Sequence, residues 1–187
     1  MQARIFGLVL GFLAGFLPVL GQAQSLELIS VQGEWRVYRD AATGPSCFVY
    51  AEPSDWSASR GGAPVSVERG DIRFFITLAA DAPDVTEPSF RAGYTLTTDS
   101  PAKVSIGGAD TSLYPNADYC AQAGSIERCD QYAWTQPADD ANLIALMMAG
   151  RDAIVTARSQ RGTITTDTFS LTGFTAALND ARNACSQ

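Results

Sequence analysis

Apolar and polar residues alternate with a period of two along much of the chain. Trp35 and Val37 alternate with Arg36 and Tyr38, Phe48 and Tyr50 with Cys47 and Val49, and Val65 and Val67 with Ser66 and Glu68. The longest run puts Ile72, Phe74, Ile76 and Leu78 on one face and Arg73 and Thr77 on the other. Phe90, Ala92 and Tyr94 repeat the pattern, as do Val104 and Ile106. Successive side chains of a strand point to opposite faces, so this alternation predicts strands with one face in a core and one toward water. Arg69-Gly70-Asp71 lies between two such runs and predicts a tight hairpin turn, and Gly107-Gly108-Ala109-Asp110 predicts another. Ala153 to Arg158 and Thr163 to Leu171 read as a strand pair joined across Ser159-Gln160-Arg161-Gly162.

The period changes twice. A helix is predicted from about Ala138 to Met148, with Pro137 in its first turn, Asp139 and Asp140 at the positive end of its dipole, and Gly150 as its stop. A second is predicted after Thr172 as N-cap, with Phe174, Ala177, Leu178, Ala181 and Cys185 on its inward stripe. Many short strands with frequent turns predict a mainly β fold. The expected architecture is an antiparallel β-sandwich or barrel-like domain with two short helices, one at the C-terminus. The expected core is Trp35, Val65, Val67, Ile72, Phe74, Ile76, Phe90, Val104, Ile154, Phe169, Phe174 and Leu178.

The beginning of the chain follows neither pattern. Arg4 precedes an uncharged apolar run from Ile5 to Leu20, and Gly21-Gln22-Ala23 offers small residues at the positions a signal peptidase reads. The run is short for a spanning helix and carries Pro18, Gly7, Gly11 and Gly15. Residues 1–23 therefore read as a cleaved signal peptide, and residues 24–187 as a single domain, periplasmic or secreted. No stable membrane insertion is expected once the leader is removed.

Composition narrows the chemistry. The net charge is −7, which disfavours nucleic acid as a partner. The chain has no histidine, so no Ser-His-Asp or Cys-His pair and no histidine zinc site can form within it. Four cysteines behind an export signal read as two disulfides. Their spacing lacks the paired ligands of a zinc site, so no metal or cofactor is expected. Cys120 and Cys129 are close in sequence and flank no core strand, which suits a local staple. Cys47 opens a core strand and Cys185 lies on the inward stripe of the last helix. The expected pairs are therefore Cys47–Cys185 and Cys120–Cys129.

The segment from Ala157 to Ala177, with its Arg-Gly-Thr turn, Thr-rich strand ending in Phe169-Ser170-Leu171, and helix opened by Gly173-Phe174, resembles the C-terminal signature of the invasion-associated locus B family. Trp35-Arg36-Val37-Tyr38 followed by Cys47 is similar to that family's opening strands, Val65 to Phe75 to its central hairpin, and Cys185 to its last cysteine. Tyr114 to Tyr132 looks like an elaboration on the common pattern. The resemblance implies an exported bacterial protein of a family named for host-cell entry, and it brings no catalytic residue or cofactor.

Several side chains merit weighing. Arg69-Gly70-Asp71 is an integrin-recognised tripeptide, but glycine and aspartate are also ordinary turn residues, and the turn reading is preferred. Asp81, Asp84 and Glu87 could bind calcium, yet their loop lacks calcium-loop spacing and reads as a solvated acidic loop. Adjacent Asp139 and Asp140 point in different directions on a helix and cannot jointly flank one bond. Arg158 and Arg161 could hold a carboxylate or phosphate, against the simpler expectation of surface ion pairs with Asp152 or Asp167. Tyr114, Tyr119, Tyr132 and Trp134 bracket the cysteine-containing insertion. They are residues of the type that dominates binding hot spots, although packing of the loop onto the sheet is the simpler reading. The functional expectation is a non-enzymatic binding factor whose partner is a protein or envelope component. Its binding-surface candidates are Tyr114, Tyr119, Tyr132, Trp134, Arg158 and Arg161, with no catalytic residue. The alternative is a periplasmic hydrolase or lyase working with carboxylates and arginine.

Overall fold

The computed structural model describes residues 26–40, 46–79, 82–116, 120 and 128–186. The expected signal peptide, Asp81 and Tyr119 lie outside them. Two six-stranded antiparallel sheets face each other. The first runs in the order β1 (Leu26–Gln32), β2 (Trp35–Asp40), β3 (Ser46–Ala51), β6 (Arg73–Ala79), β7 (Ala82–Arg91) and β10 (Tyr132–Trp134). The second runs β5 (Ala63–Pro64), β4 (Asp55–Arg60), β12 (Ile164–Ser170), β11 (Asp152–Arg158), β8 (Ala102–Ile106) and β9 (Ala109–Leu113). Helix α1 (Pro137–Ala149) buries Leu143, Ile144 and Met147, and α2 (Phe174–Cys185) packs on β1, β2 and β3. Among the described residues, the expected mainly β sandwich with two helices, one of them C-terminal in the fold, is what is observed.

The core forms where the inward stripes of both sheets meet. Trp35, Val37, Val49, Phe74, Ile76, Leu78 and Phe90 come from the first sheet, and Val104, Val155 and Phe169 from the second. Phe74 and Phe90 each meet Phe169 edge-on, with ring centroids 5.7 and 6.2 Å apart. Phe74 is fully buried, so Phe74→Ala should destabilise the protein by about 3–5 kcal/mol through lost transfer energy and the cavity left behind. Urea unfolding of the chain from residue 24 onward checks this, and near-native stability would show that the inter-sheet contact carries little.

Four core expectations fail, each for a local reason. Ile154 is 41% exposed because its small neighbours Ala153, Val155 and Ala157 hold the inward face; bulk marked the wrong side of β11. Val65 and Val67 are only half-buried, because residues 65–72 form no hairpin. This segment carries the chain from β5 in the second sheet to β6 in the first, so the expected turn at Arg69-Gly70-Asp71 is a crossover. Ile72 is half-buried just before β6 begins. Thr172 is not the cap of α2. That position belongs to Gly173, whose φ of 89° sits in the left-handed region. A Cβ there would lie 2.2 Å from the Gln32 carbonyl oxygen, so only glycine lets the β1–β2 turn touch the start of α2.

The disulfides tie Cys47 to Cys185 and Cys120 to Cys129, with Cα separations of 5.8 and 5.5 Å. The first joins β3 to the last turn of α2. Arg39 adds a hydrogen bond of 2.7 Å to the Ala184 carbonyl oxygen. Earlier on the same helix, Ser30 and Gln32 of β1 both donate to Asp180 of α2 at 2.6 and 2.9 Å. These bonds hold the Asp180 carboxyl below the usual aspartate range.

Candidate functional site

The outward face of the first sheet carries rings where a solvated sheet would carry charges. Register sets the arrangement. Arg36 of β2 lies opposite Tyr50, Tyr50 opposite Phe75, Phe75 opposite Ser89, and Ser89 opposite Trp134. One rung to one side, Tyr38 lies opposite Phe48, and one rung to the other, Tyr132 lies opposite Arg91. Cross-strand neighbours on one face stand close enough for rings to touch. Centroid distances run 5.7 Å from Trp134 to Tyr132, 6.2 Å to Phe75, 5.5 Å on to Tyr50 and 5.8 Å to Tyr38, with Phe48 5.5 Å from Tyr38. The ladder thus crosses β2, β3, β6 and β10 without a break.

Guanidinium groups lie over these rings. Arg73 and Arg36 stand 4.8 and 5.8 Å from the Tyr50 centroid, and Arg91 stands 5.7 Å from that of Tyr132. Asp71 accepts a 3.4 Å hydrogen bond from Arg91 and forms an ion pair with Arg73 at 3.3 Å. Burial pushes the Tyr50 and Tyr132 hydroxyls above the ordinary tyrosine value, against the pull of Arg73 on the first and Arg91 on the second. Both hydroxyls therefore remain hydrogen-bond donors at neutral pH.

Edge strand β1 extends the face. A bulge between Leu28 and Ser30 resets its alternation. Leu28 then lies opposite Tyr38 and Val31 opposite Arg36. Leu26, Leu28 and Val31 are 53%, 51% and 54% exposed. At about 4.8 Å per strand, the apolar face spans about 24 Å across six strands.

The sequence-predicted residues divide between two places. Tyr132 and Trp134 end the ring ladder. Tyr114 joins them by a backbone bridge, donating to the Trp134 carbonyl oxygen at 2.7 Å and accepting at 3.0 Å. Arg158 and Arg161 belong to the second sheet, at and beside the β11–β12 turn. Sequence reading passed over Tyr38, Phe48, Tyr50 and Phe75 as surface partners. Their signal was present: on β2 and β3 the outward positions are aromatic while the inward ones are Trp35, Val37, Cys47 and Val49. Cys129 opens the short 3₁₀ turn Cys129–Gln131 that delivers Tyr132 and Trp134 to β10, so the Cys120–Cys129 bond is anchored beside the ladder's end.

Between the sheets, at one end of the sandwich, lies a polar cavity of about 500 Å³. Arg69 is part of its wall, and its side chain is 2% exposed. The guanidinium donates to both carboxylate oxygens of fully buried Asp167, at 2.5 and 2.9 Å, and to the Ala92 carbonyl oxygen. It lies 5.1 Å from the ring centroids of both Trp56 and Tyr94. Tyr94 in turn shares a 2.7 Å hydrogen bond with Thr165. The arginine of the Arg-Gly-Asp tripeptide is thus a strut between sheets, enclosed on every side. Asp167, expected as a surface partner of Arg158 or Arg161, belongs to this buried pair.

The acidic candidates are dispersed. Asp84 pairs with Arg182 at 3.8 Å and is 95% exposed. Burial, and then the charge of Asp140, pushes Glu87 above the usual glutamate range. Thr135 donates to Asp140 at the start of α1, while Asp139 is solvent-exposed. Among the described residues, no three acidic or cysteine side chains are grouped to hold a metal ion.

A family model described as invasion associated locus B (IalB) protein matches residues 68–182. The crystal structure of invasion associated protein B from Bartonella henselae superposes with a TM-score of 0.56 at 15% sequence identity, covering 86% of this chain and 100% of that one. No curated protein matches by sequence. The structural likeness extends the shared fold beyond the segment matched by the family model.

Proposed function

This chain belongs to the invasion associated locus B family, and from that premise we propose that it is an exported, non-catalytic protein that binds a protein of the cell envelope through the aromatic face of its first sheet. The observation that carries this reading is the ladder from Tyr132 to Tyr38, backed at its end by buried Trp134, with three guanidiniums laid over it. Tyrosine, tryptophan and arginine are the residue types that concentrate binding energy in protein interfaces, and a broad, flat sheet face suits another protein better than a small molecule. Two disulfides support residence in an oxidising compartment. The absence of histidine and the engagement of Asp167 by Arg69 leave little for acid–base work. Among the described residues, a single carboxylate, Glu68, lines the cavity where a carboxylate hydrolase would place a pair.

The test is affinity capture from envelope extract with the chain from residue 24 onward immobilised, read by quantitative mass spectrometry. Tyr50→Ala with Tyr132→Ala should reduce the recovery of the captured partner at least tenfold. Ile154→Ser, on the far sheet, should leave it unchanged. Equal capture by the aromatic variant would overturn the assignment of the face.

A further inference from the structure

We propose that the cavity at the end of the sandwich is a binding site for a small hydroxylated carboxylate, of the sugar-acid type, held by Arg60 and Arg161. The proposal stands on different residues from the aromatic face and does not depend on it.

Charge accounting at the cavity motivates it. In a chain of net charge −7, six of the twelve arginines pair with an acid among the described residues: Arg39, Arg69, Arg73, Arg91, Arg128 and Arg182. Arg60 and Arg161 line the cavity and have none among the described residues. The Nε and Nη2 atoms of Arg60 donate instead to the neutral hydroxyl of Thr163, at 3.1 and 2.6 Å. That contact fixes Arg60 against the turn that bears Arg161. The turn is itself held by Thr163 and Gly162 N–H groups donating to Ser159. Two guanidiniums without counter-ions on a braced wall form a pre-set anion site, since the planar fork of arginine matches a carboxylate.

The remaining lining selects among anions. Thr95, Ser159, Gln160 and Gln131 offer hydroxyl and amide groups suited to a polyhydroxylated ligand. Glu68 is also on the wall and repels a second negative charge, so a monoanion fits better than a phosphate dianion. The strut of Arg69 and Asp167 is neutral as a pair and keeps the wall rigid. At about 500 Å³ the cavity lies within the range of small-ligand sites.

Isothermal titration of the chain from residue 24 onward, disulfides intact, should give saturable binding of glucuronate or gluconate, and none of glucose. Arg161→Ala, at an exposed turn position, should weaken that binding at least tenfold without changing the melting temperature of the unliganded protein. Arg151→Ala, exposed just before β11 and off the cavity wall, should leave it unchanged, and Glu68→Gln should tighten it several-fold. Absence of saturable binding for both acids at 10-millimolar scale (~10 mM, where an affinity near −3 kcal/mol would still register), glucose binding as well as glucuronate, inorganic phosphate binding as tightly as the acids, or unchanged affinity in Arg161→Ala would each overturn the proposal.

Discussion

Replacing Asp167 by alanine should destabilise the protein by about 3–5 kcal/mol, the largest loss expected from any single polar substitution in the chain. Asp167 is fully buried: its side chain has no accessible surface, and both its oxygens accept from Arg69. Removing it leaves a guanidinium that is 2% exposed with only the Ala92 carbonyl oxygen as hydrogen-bond acceptor. An uncompensated buried charge accounts for most of the loss, since a buried pair contributes little net stability over apolar residues of the same size. The double variant Arg69→Met with Asp167→Leu should therefore recover part of what Asp167→Ala loses. Recovery will be incomplete, because the Ala92 carbonyl oxygen loses its donor, a further cost of about 1–3 kcal/mol. Equilibrium urea unfolding of the three proteins gives the order. A double variant less stable than Asp167→Ala would show that the pair contributes through geometry rather than charge compensation.

Removal of the Cys47–Cys185 bond, by alanine at both positions, should cost about 3–5 kcal/mol. The bond closes a loop with a sequence separation of 138, against 9 for Cys120–Cys129. Constraint of the unfolded chain grows with loop length, so loss of the shorter bond should cost under about 3 kcal/mol. Both cysteines of the long bond are also buried, at 0% and 5% exposure, so alanine leaves two small voids beside Arg39 and Ala184. Midpoints of denaturant unfolding for the two double variants compare the bonds directly. Equal losses would mean that local packing outweighs chain entropy here.

Strands with strong alternation were legible from sequence: β2, β6 and β8 declare their inward faces through Trp35, Ile76 and Val104, whereas on β3 the rings Phe48 and Tyr50 drew attention away from inward Val49. The cysteine pairing was legible too, because one pair was local and the other lay on two inward stripes. β4 was not, because Asp55 to Arg60 offers only Ala58 to the core and exposes Trp56. β1 was not, because its bulge breaks the period and its apolar residues face outward. The buried ion pair could have been found in part: Thr165, Asp167 and Phe169 share one period, which puts a carboxylate on the core side of β12. Its partner was hidden, since Arg69 sits in a crossover with no periodicity. The aromatic face was half visible. Tyr132 and Trp134 stood out beside the cysteines, whereas Tyr38 and Phe75 looked like the ordinary outward half of strands, and Phe48 and Tyr50 like the inward half, until register placed them edge to edge.

The contacts between β1 or β3 and α2 set an order on how the molecule can be made. A ribosome, or any pore the chain threads N-terminus first, delivers Ser30, Gln32 and Cys47 long before Asp180 and Cys185. Through that interval the first sheet has no helix to cover Trp35 and Val37, and the Cys47 thiol has no native partner. Cys120 and Cys129 emerge together in between and are free to react with one another or with Cys47. Completion of the fold is therefore postponed to the release of the last turn of α2, and truncation ahead of Cys185 removes the closing step altogether.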